Sequence, residues 1–210
     1  MYKDNFKIYS SREVKIFKHF VDNNSWFENQ LEDFKPDNTS LHDLKCKMKD
    51  GKTLIIQIKE DEAYWYNRTK NIGLDYISAF NFLRNKTQWL SNNYWIKSSD
   101  YHNFIGDVSI GKWGKLKTCD ADVHLFYVEG IVCNLYNNSA LQTSTFIDHL
   151  NTSVNLRINK KSDYNLGDEW ESAAYFLPVT DTNLGRALIS DYTSLLTAIQ
   201  NNTHPVNRNF

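Results

Sequence analysis

Leu41-His-Asp-Leu-Lys-Cys-Lys-Met-Lys-Asp50-Gly-Lys-Thr-Leu-Ile-Ile-Gln-Ile-Lys-Glu60 is the stretch on which the fold of this chain turns. Asp50-Gly51 is a strong turn signal between two strand-like runs. Before it, Leu44, Cys46 and Met48 alternate with Asp43, Lys45, Lys47 and Lys49; after it, Leu54, Ile56 and Ile58 alternate with Ile55, Gln57 and Lys59. Each run therefore has one apolar and one mainly polar face. A two-residue loop would set Lys49 against Lys52 and Asp43 against Ile58, mixing the faces. A three-residue loop, Asp50-Gly51-Lys52, pairs Lys49 with Thr53, Asp43 with Lys59 and Lys45 with Gln57. Leu44, Cys46 and Met48 then meet Ile58, Ile56 and Leu54. The three-residue loop is expected, because a one-residue slip sends every side chain to the other face. The polar face carries Asp43, Lys45, Lys47, Gln57 and Lys59, a mixture that a solvated antiparallel hairpin also presents.

Asp43, a turn, and then Gln57-Ile58-Lys59 resemble the core motif of the PD-(D/E)xK nuclease superfamily. That superfamily includes many type II restriction endonucleases, Holliday-junction resolvases and repair nucleases. The resemblance covers residues 41–60, with a looser match to the preceding helix. It implies an α/β fold with a restriction-endonuclease-like mixed β-sheet flanked by helices. It also implies phosphodiester hydrolysis by a metal-activated hydroxide. Asp43 would be the main Mg²⁺ ligand, with Mn²⁺ able to substitute. Gln57 would be a second ligand or would orient a water, and the Ile58 backbone carbonyl would add a ligand. Lys59 would position the attacking water and stabilise charge on the phosphate.

Gln57 stands where most members have Glu or Asp; the Gln-x-Lys form resembles that of Mrr-type restriction nucleases. Glutamine keeps an oxygen donor but loses the charge that hard cations favour. Either another acid compensates, or the site is weak or inactive. The resemblance implies an acid on the helix before the hairpin, for which Glu13 is the candidate. The residues alone read Ser10-Ser11-Arg12-Glu13 as a capping box with Glu13 at the third helical position. Glu60 and Glu62 are rival acids at a solvated strand end. Pro36-Asp37 sits in a turn-like run, so Asp43, on the strand and sharing a face with Lys59, is preferred over Asp37.

The chain has 210 residues, enough for one domain with a sizeable core. A single domain over 1–210 is expected, with a core at 11–136 and C-terminal strands and helix at 150–200. The net charge of −1 argues against a general nucleic-acid coat protein, whose surface is basic. Positive charge is concentrated at 43–97, which suits a phosphate-facing surface and a solvated one equally. Three cysteines, an odd number without metal-ligand spacing, read as reduced residues. No signal peptide or membrane-length apolar run is read, so a cytoplasmic chain off the membrane is expected.

Periodicity gives a helix at 11–22 and an irregular connection at 24–40 with a helical turn near Phe27 to Leu31. A long helix is expected at 67–90 through Ile72, Tyr76, Phe80 and Leu83. Loops with short strands follow at 91–118. Strands are expected at Val123–Val128, Ile131–Tyr136, Val154–Ile158 and Ala173–Val179. A helix at 186–200 and a loose polar tail from Asn201 complete the chain.

Asp120 and Asp122, one residue apart at a strand start, could hold Mg²⁺ as in nucleotidyltransferases, but the glycine turn such enzymes need is replaced by Gly111-Lys112 and Gly114-Lys115. Lys112, Lys115 and Lys117 could instead form a DNA-contacting loop. The six histidines lack zinc-ligand spacing, and His42 reads as structural. Tyr64, in Tyr64-Trp65-Tyr66, could stack on bases, and Lys45 and Lys47 could contact phosphates. The combined expectation is a Mg²⁺-dependent endonuclease acting on double-stranded DNA as a homodimer, with recognition by loops or strands in 91–118 and 137–170. The alternatives are a non-catalytic nucleic-acid-binding protein on the same scaffold and a junction- or flap-specific nuclease.

Overall fold

The computed structural model describes residues 2–37, 42–60, 71–83, 95–162, 169–204 and 208–210. The protein is mixed α/β with two sheets. The chain divides into two compact units. One comprises Met1–Arg68, Cys119–Leu141 and Leu184–Phe210; the other comprises Thr69–Thr118 and Gln142–Asn183.

The first unit holds a six-stranded mixed sheet in the order β1-β2-β3-β7-β8-β11. Its strands are β1 (Leu31–Pro36), β2 (Leu44–Met48), β3 (Thr53–Glu60), β7 (Val123–Val128), β8 (Val132–Asn137) and β11 (Leu188–Ile189). β1, β2 and β3 form an antiparallel meander, β7 joins β3 in parallel, and β8 and β11 return antiparallel. A parallel neighbour requires a long crossover, and here the chain between β3 and β7 supplies part of the second unit.

Helix Arg12–Asn23 covers one face of this sheet. Its stripe of Val14, Phe17, Phe20 and Val21 is buried in one cluster with Phe34, Leu44, Cys46, Leu54, Ile56, Ile58, Val123 and Leu125. In β2, β3 and β7 alternate residues belong to that cluster, as the pleat requires, whereas a register shift in β1 sets its members Leu31 and Phe34 three apart. The helix is capped by Ser11, which accepts from the Val14 N–H at 3.4 Å. Ser10 is therefore not the cap, and Glu13 is the second helical residue rather than the third. At the sheet's β1 edge, Asn5 of helix Tyr2–Ile8 donates to the Asp33 carboxylate at 2.5 Å and to the Phe34 carbonyl at 2.6 Å. Such a cover occupies edge groups that would otherwise invite another strand.

Residues 31–36, expected to be irregular, are strand β1, preceded by a short helix at Ser25–Glu28. The C-terminal helix is shorter than expected: Leu188–Ile189 is a strand, and helix Tyr192–Asn201 starts at an Asp191 cap closed reciprocally by Ser194.

The second unit holds an antiparallel five-stranded sheet, β5-β9-β10-β4-β6. Its strands are β4 (Asn71–Phe82), β5 (Trp95–Ile96), β6 (Val108–Trp113), β9 (Leu156–Ser162) and β10 (Glu169–Pro178). β4 replaces the long helix expected at 67–90. Ile72, Tyr76 and Phe80 are four residues apart, a spacing that one helical stripe and one strand face both satisfy. β-Branched and aromatic content favours the strand, and Gly73 weakens the helical alternative. Gly114 is held where a Cβ would overlap the Asp75 carbonyl. Helix Ser144–Ser153, capped by Thr143, occupies part of a segment expected to hold loops or strands.

The tail, expected to be loose, is tied down. Arg208 donates to both Asp122 oxygens at 2.7 and 2.9 Å and to the Thr53 carbonyl at 3.1 Å. Asp122 is fully buried. It also accepts from the Ile55 N–H at 2.8 Å and from the Asn202 amide at 2.8 Å. The Lys35 ammonium lies 4.9 Å from the Phe210 ring centre. Removing one partner of a buried pair leaves a desolvated charge behind. Arg208→Ala should therefore lower unfolding free energy by about 3 kcal/mol in urea titrations, with Arg208→Lys losing less because Lys keeps the charge beside Asp122, though it cannot bridge both oxygens.

Candidate functional site

The hairpin has the expected three-residue loop, but the loop is Lys49-Asp50-Gly51. The Gly51 N–H donates to the Met48 carbonyl at 2.9 Å and the Met48 N–H to the Lys52 carbonyl at 2.8 Å. Gly51 has φ +84°, the left-handed conformation glycine adopts at least cost. Leu44 consequently pairs with Ile56, Cys46 with Leu54 and Lys47 with Thr53. The expected pairings of Asp43 with Lys59 and Lys45 with Gln57 are each displaced by two residues. A two-residue displacement preserves the faces, so the apolar and polar sets are those the alternation indicates.

Asp43 sits where the β2–β3 ladder ends. Its N–H donates to the Ile56 carbonyl at 3.1 Å. Its carboxylate Oδ2 accepts the Ile58 N–H at 2.6 Å and also the Gln57 side-chain amide. The same amide nitrogen lies 3.2 Å from the Ile58 carbonyl oxygen. Two oxygens, Asp43 Oδ2 and Ile58 O, thus converge on one point. Asp43, Gln57 and Lys59 are all half-buried, and Lys59 follows Gln57 on the same face of β3 by strand alternation. Register sets His124 of β7 beside Gln57 and Phe126 beside Lys59. His124 is buried, 2.9 Å from the Asn138 amide oxygen, and stacked on Phe126 at 5.5 Å.

Next to Asp43 is a cluster that sequence reasoning missed. Buried His42 has Nε2 2.8 Å from Asp37 Oδ2 and Nδ1 3.3 Å from Asp120 Oδ1. Lys45 is also buried, with Nζ 3.5 Å from Asp37 Oδ2. Asp37 N–H donates to the Asp43 carbonyl at 2.9 Å, so the cluster holds the backbone of the residue beside it. Its members come from a turn, a strand end and a distant loop. No local spacing announces them.

Lys45 is therefore spent on an internal ion pair rather than on a phosphate-facing surface, and Lys47 is paired with Glu32 at 2.7 Å. Glu60 is held by Arg12 at 2.7 Å, and Asp37 by His42 and Lys45. Glu13 is exposed on the helix that covers the opposite face of the sheet. Asp122, which could have paired with Asp120 on a metal, is occupied by Arg208. Tyr64 and Glu62 lie outside the described residues. Lys112 is an exposed residue of β6, and Lys115 a half-buried residue of helix Lys115–Thr118, both in the second unit.

Among the described residues no group of three or more His, Cys, Asp or Glu could hold a metal ion. The convergent oxygens of Asp43 and Ile58 suit a hard cation, with a single carboxylate among them. A separate open cleft of ≈ 260 Å³ lies at the carboxyl ends of β3 and β7, lined by Arg12, Lys15, His19, Glu60, Tyr127 and Glu129. Burial pushes the Cys46 thiol well above its ordinary range and that of Cys133 up to about 12, which keeps these two thiols protonated near neutral pH. Among the described residues no helix is long and apolar enough to cross a membrane.

Compared with known proteins, the chain matches no family model, no curated sequence and no solved structure.

If the His42 cluster fixes the backbone beside Asp43, His42→Ala should leave the Asp37 and Asp120 carboxylates facing a gap. Chemical denaturation should then show a loss of about 2–4 kcal/mol. An unchanged midpoint would show that the cluster bears no load.

Proposed function

We propose that this chain is a restriction-endonuclease-like protein that hydrolyses phosphodiester bonds of double-stranded DNA with Mg²⁺. The observation that carries the reading is the meeting of the Asp43 carboxylate and the Ile58 carbonyl at one point on the hairpin, with Lys59 on the same polar face. Support also comes from the order of elements: a covering helix, the hairpin, and then a strand parallel to its second arm. Mg²⁺ bound at that point would supply a polarised water as nucleophile. Asp43 and Ile58 would hold the position, and the Lys59 ammonium would neutralise the attacked phosphate. Cutting both strands calls for two such sites, which a two-fold homodimer would provide.

One observation favours a second reading. The neutral Gln57 amide donates to the Asp43 carboxylate and brings no second negative charge for a cation, which suits a scaffold that binds nucleic acid without cutting it.

Supercoiled plasmid incubated with Mg²⁺ or Mn²⁺ separates the two. The nuclease should yield discrete linear fragments, and Lys59→Ala should slow cleavage by about 10²-fold or more. Retarded but intact plasmid would support the binding protein. Cleavage confined to four-way or flapped DNA would identify a structure-specific nuclease.

A further inference from the structure

We infer that the Gln57 carboxamide is a latch that stands in for a cation at the Asp43 site, so that a divalent ion enters only as this amide turns. The inference rests on reading that point as a cation site. It follows from the donor inventory. Asp43 Oδ2 and Ile58 O are both acceptors, and Gln57 Nε2 is within hydrogen-bond reach of each. Only the NH₂ end of an amide can face two acceptors. The Ile58 N–H adds a second donor to the same Asp43 oxygen at 2.6 Å. The carboxylate is thereby satisfied by donors from β3, and the hairpin end is ordered without an ion.

Rotation of the amide about its last torsion exchanges nitrogen for oxygen with little change in shape. Turned in this way, Gln57 would present a third oxygen to the point where Asp43 and Ile58 converge. Turning the amide away costs Asp43 one of its two charge-assisted hydrogen bonds from β3, a loss that a cation at the same point would offset. Gln-x-Lys would then be a switchable form of the acidic motif, with weak affinity as its consequence. Glutamate at 57 has nearly the same shape but cannot donate when ionised. It would remove the latch and add a charged ligand together.

The test uses the full chain. In wild type, the side-chain amide resonances of Gln57 should be shifted and slow to exchange without metal, and should move on titration with Mg²⁺. Calorimetry of Gln57→Glu should show Mg²⁺ or Mn²⁺ binding at least about tenfold tighter than wild type. Its melting temperature should fall below wild type in chelator and recover with Mg²⁺, whereas Gln57→Ala should gain no affinity. A Gln57 amide indistinguishable from solvent-exposed glutamines in wild type, or equal affinities for Gln57→Glu and Gln57→Ala, would overturn the latch. The two proposals fail separately. Movement of the wild-type Gln57 amide resonances on Mg²⁺ titration, without plasmid cleavage by any variant, would remove the hydrolytic reading and leave the latch standing. Cleavage by wild type with no affinity gain in Gln57→Glu would do the reverse.

Discussion

The hydrogen bond from the Ile58 N–H to Asp43 Oδ2 is the contact on which the candidate site depends. It occupies the place of the next ladder bond between the two arms of the hairpin, and a side chain accepts where a backbone carbonyl otherwise would. Backbone donors inside a sheet must be satisfied, so the carboxylate is bound into the sheet as well as displayed on it. That dual duty fixes where the acid sits, brings Gln57 onto it, and leaves Lys59 one pleat further along. The neighbouring Asp37–His42–Asp120 cluster and the Arg208–Asp122 pair tie the hairpin to the segment before β7 and to the tail.

Charge on that face is mostly spent internally. Lys45, Lys47 and Arg208 each have an acidic partner, and Asp122 is enclosed. What a sequence count records as a basic hairpin is, in three dimensions, largely a set of internal pairs, Lys45 with Asp37, Lys47 with Glu32 and Lys52 with Asp50. Buried pairs of this kind make weak statements about net stability, because desolvation offsets their attraction. They do specify geometry: a bidentate Arg208 on Asp122 admits few alternative placements of the tail.

The faces of the hairpin were legible because alternation has a period of two and survives a displacement of two. The register was not, because it depends on where Gly51 falls in the loop, and glycine at the last loop position moves every pairing by two. Helix Arg12–Asn23 and the strands at 123–137 were legible from strong periodicity. The strand at 71–82 was misread because a four-residue spacing of Ile72, Tyr76 and Phe80 is shared by both periods. The tail and the His42 cluster were invisible for a different reason. Their partners are far apart in sequence, and no local pattern encodes a contact between Thr53, Asp122 and Arg208. Of the candidate site, Asp43, Gln57 and Lys59 share the expected face, while the lysines assigned to phosphate at 45 and 47 have other partners.

Anomalous diffraction from crystals of the wild-type chain soaked in Mn²⁺ tests the central claim most directly. The account requires a manganese peak within coordination distance of both Asp43 Oδ2 and the Ile58 carbonyl oxygen, with the Gln57 amide turned from its place between them. A strong peak elsewhere on the molecule, with Gln57 still bonded to Asp43, would contradict it.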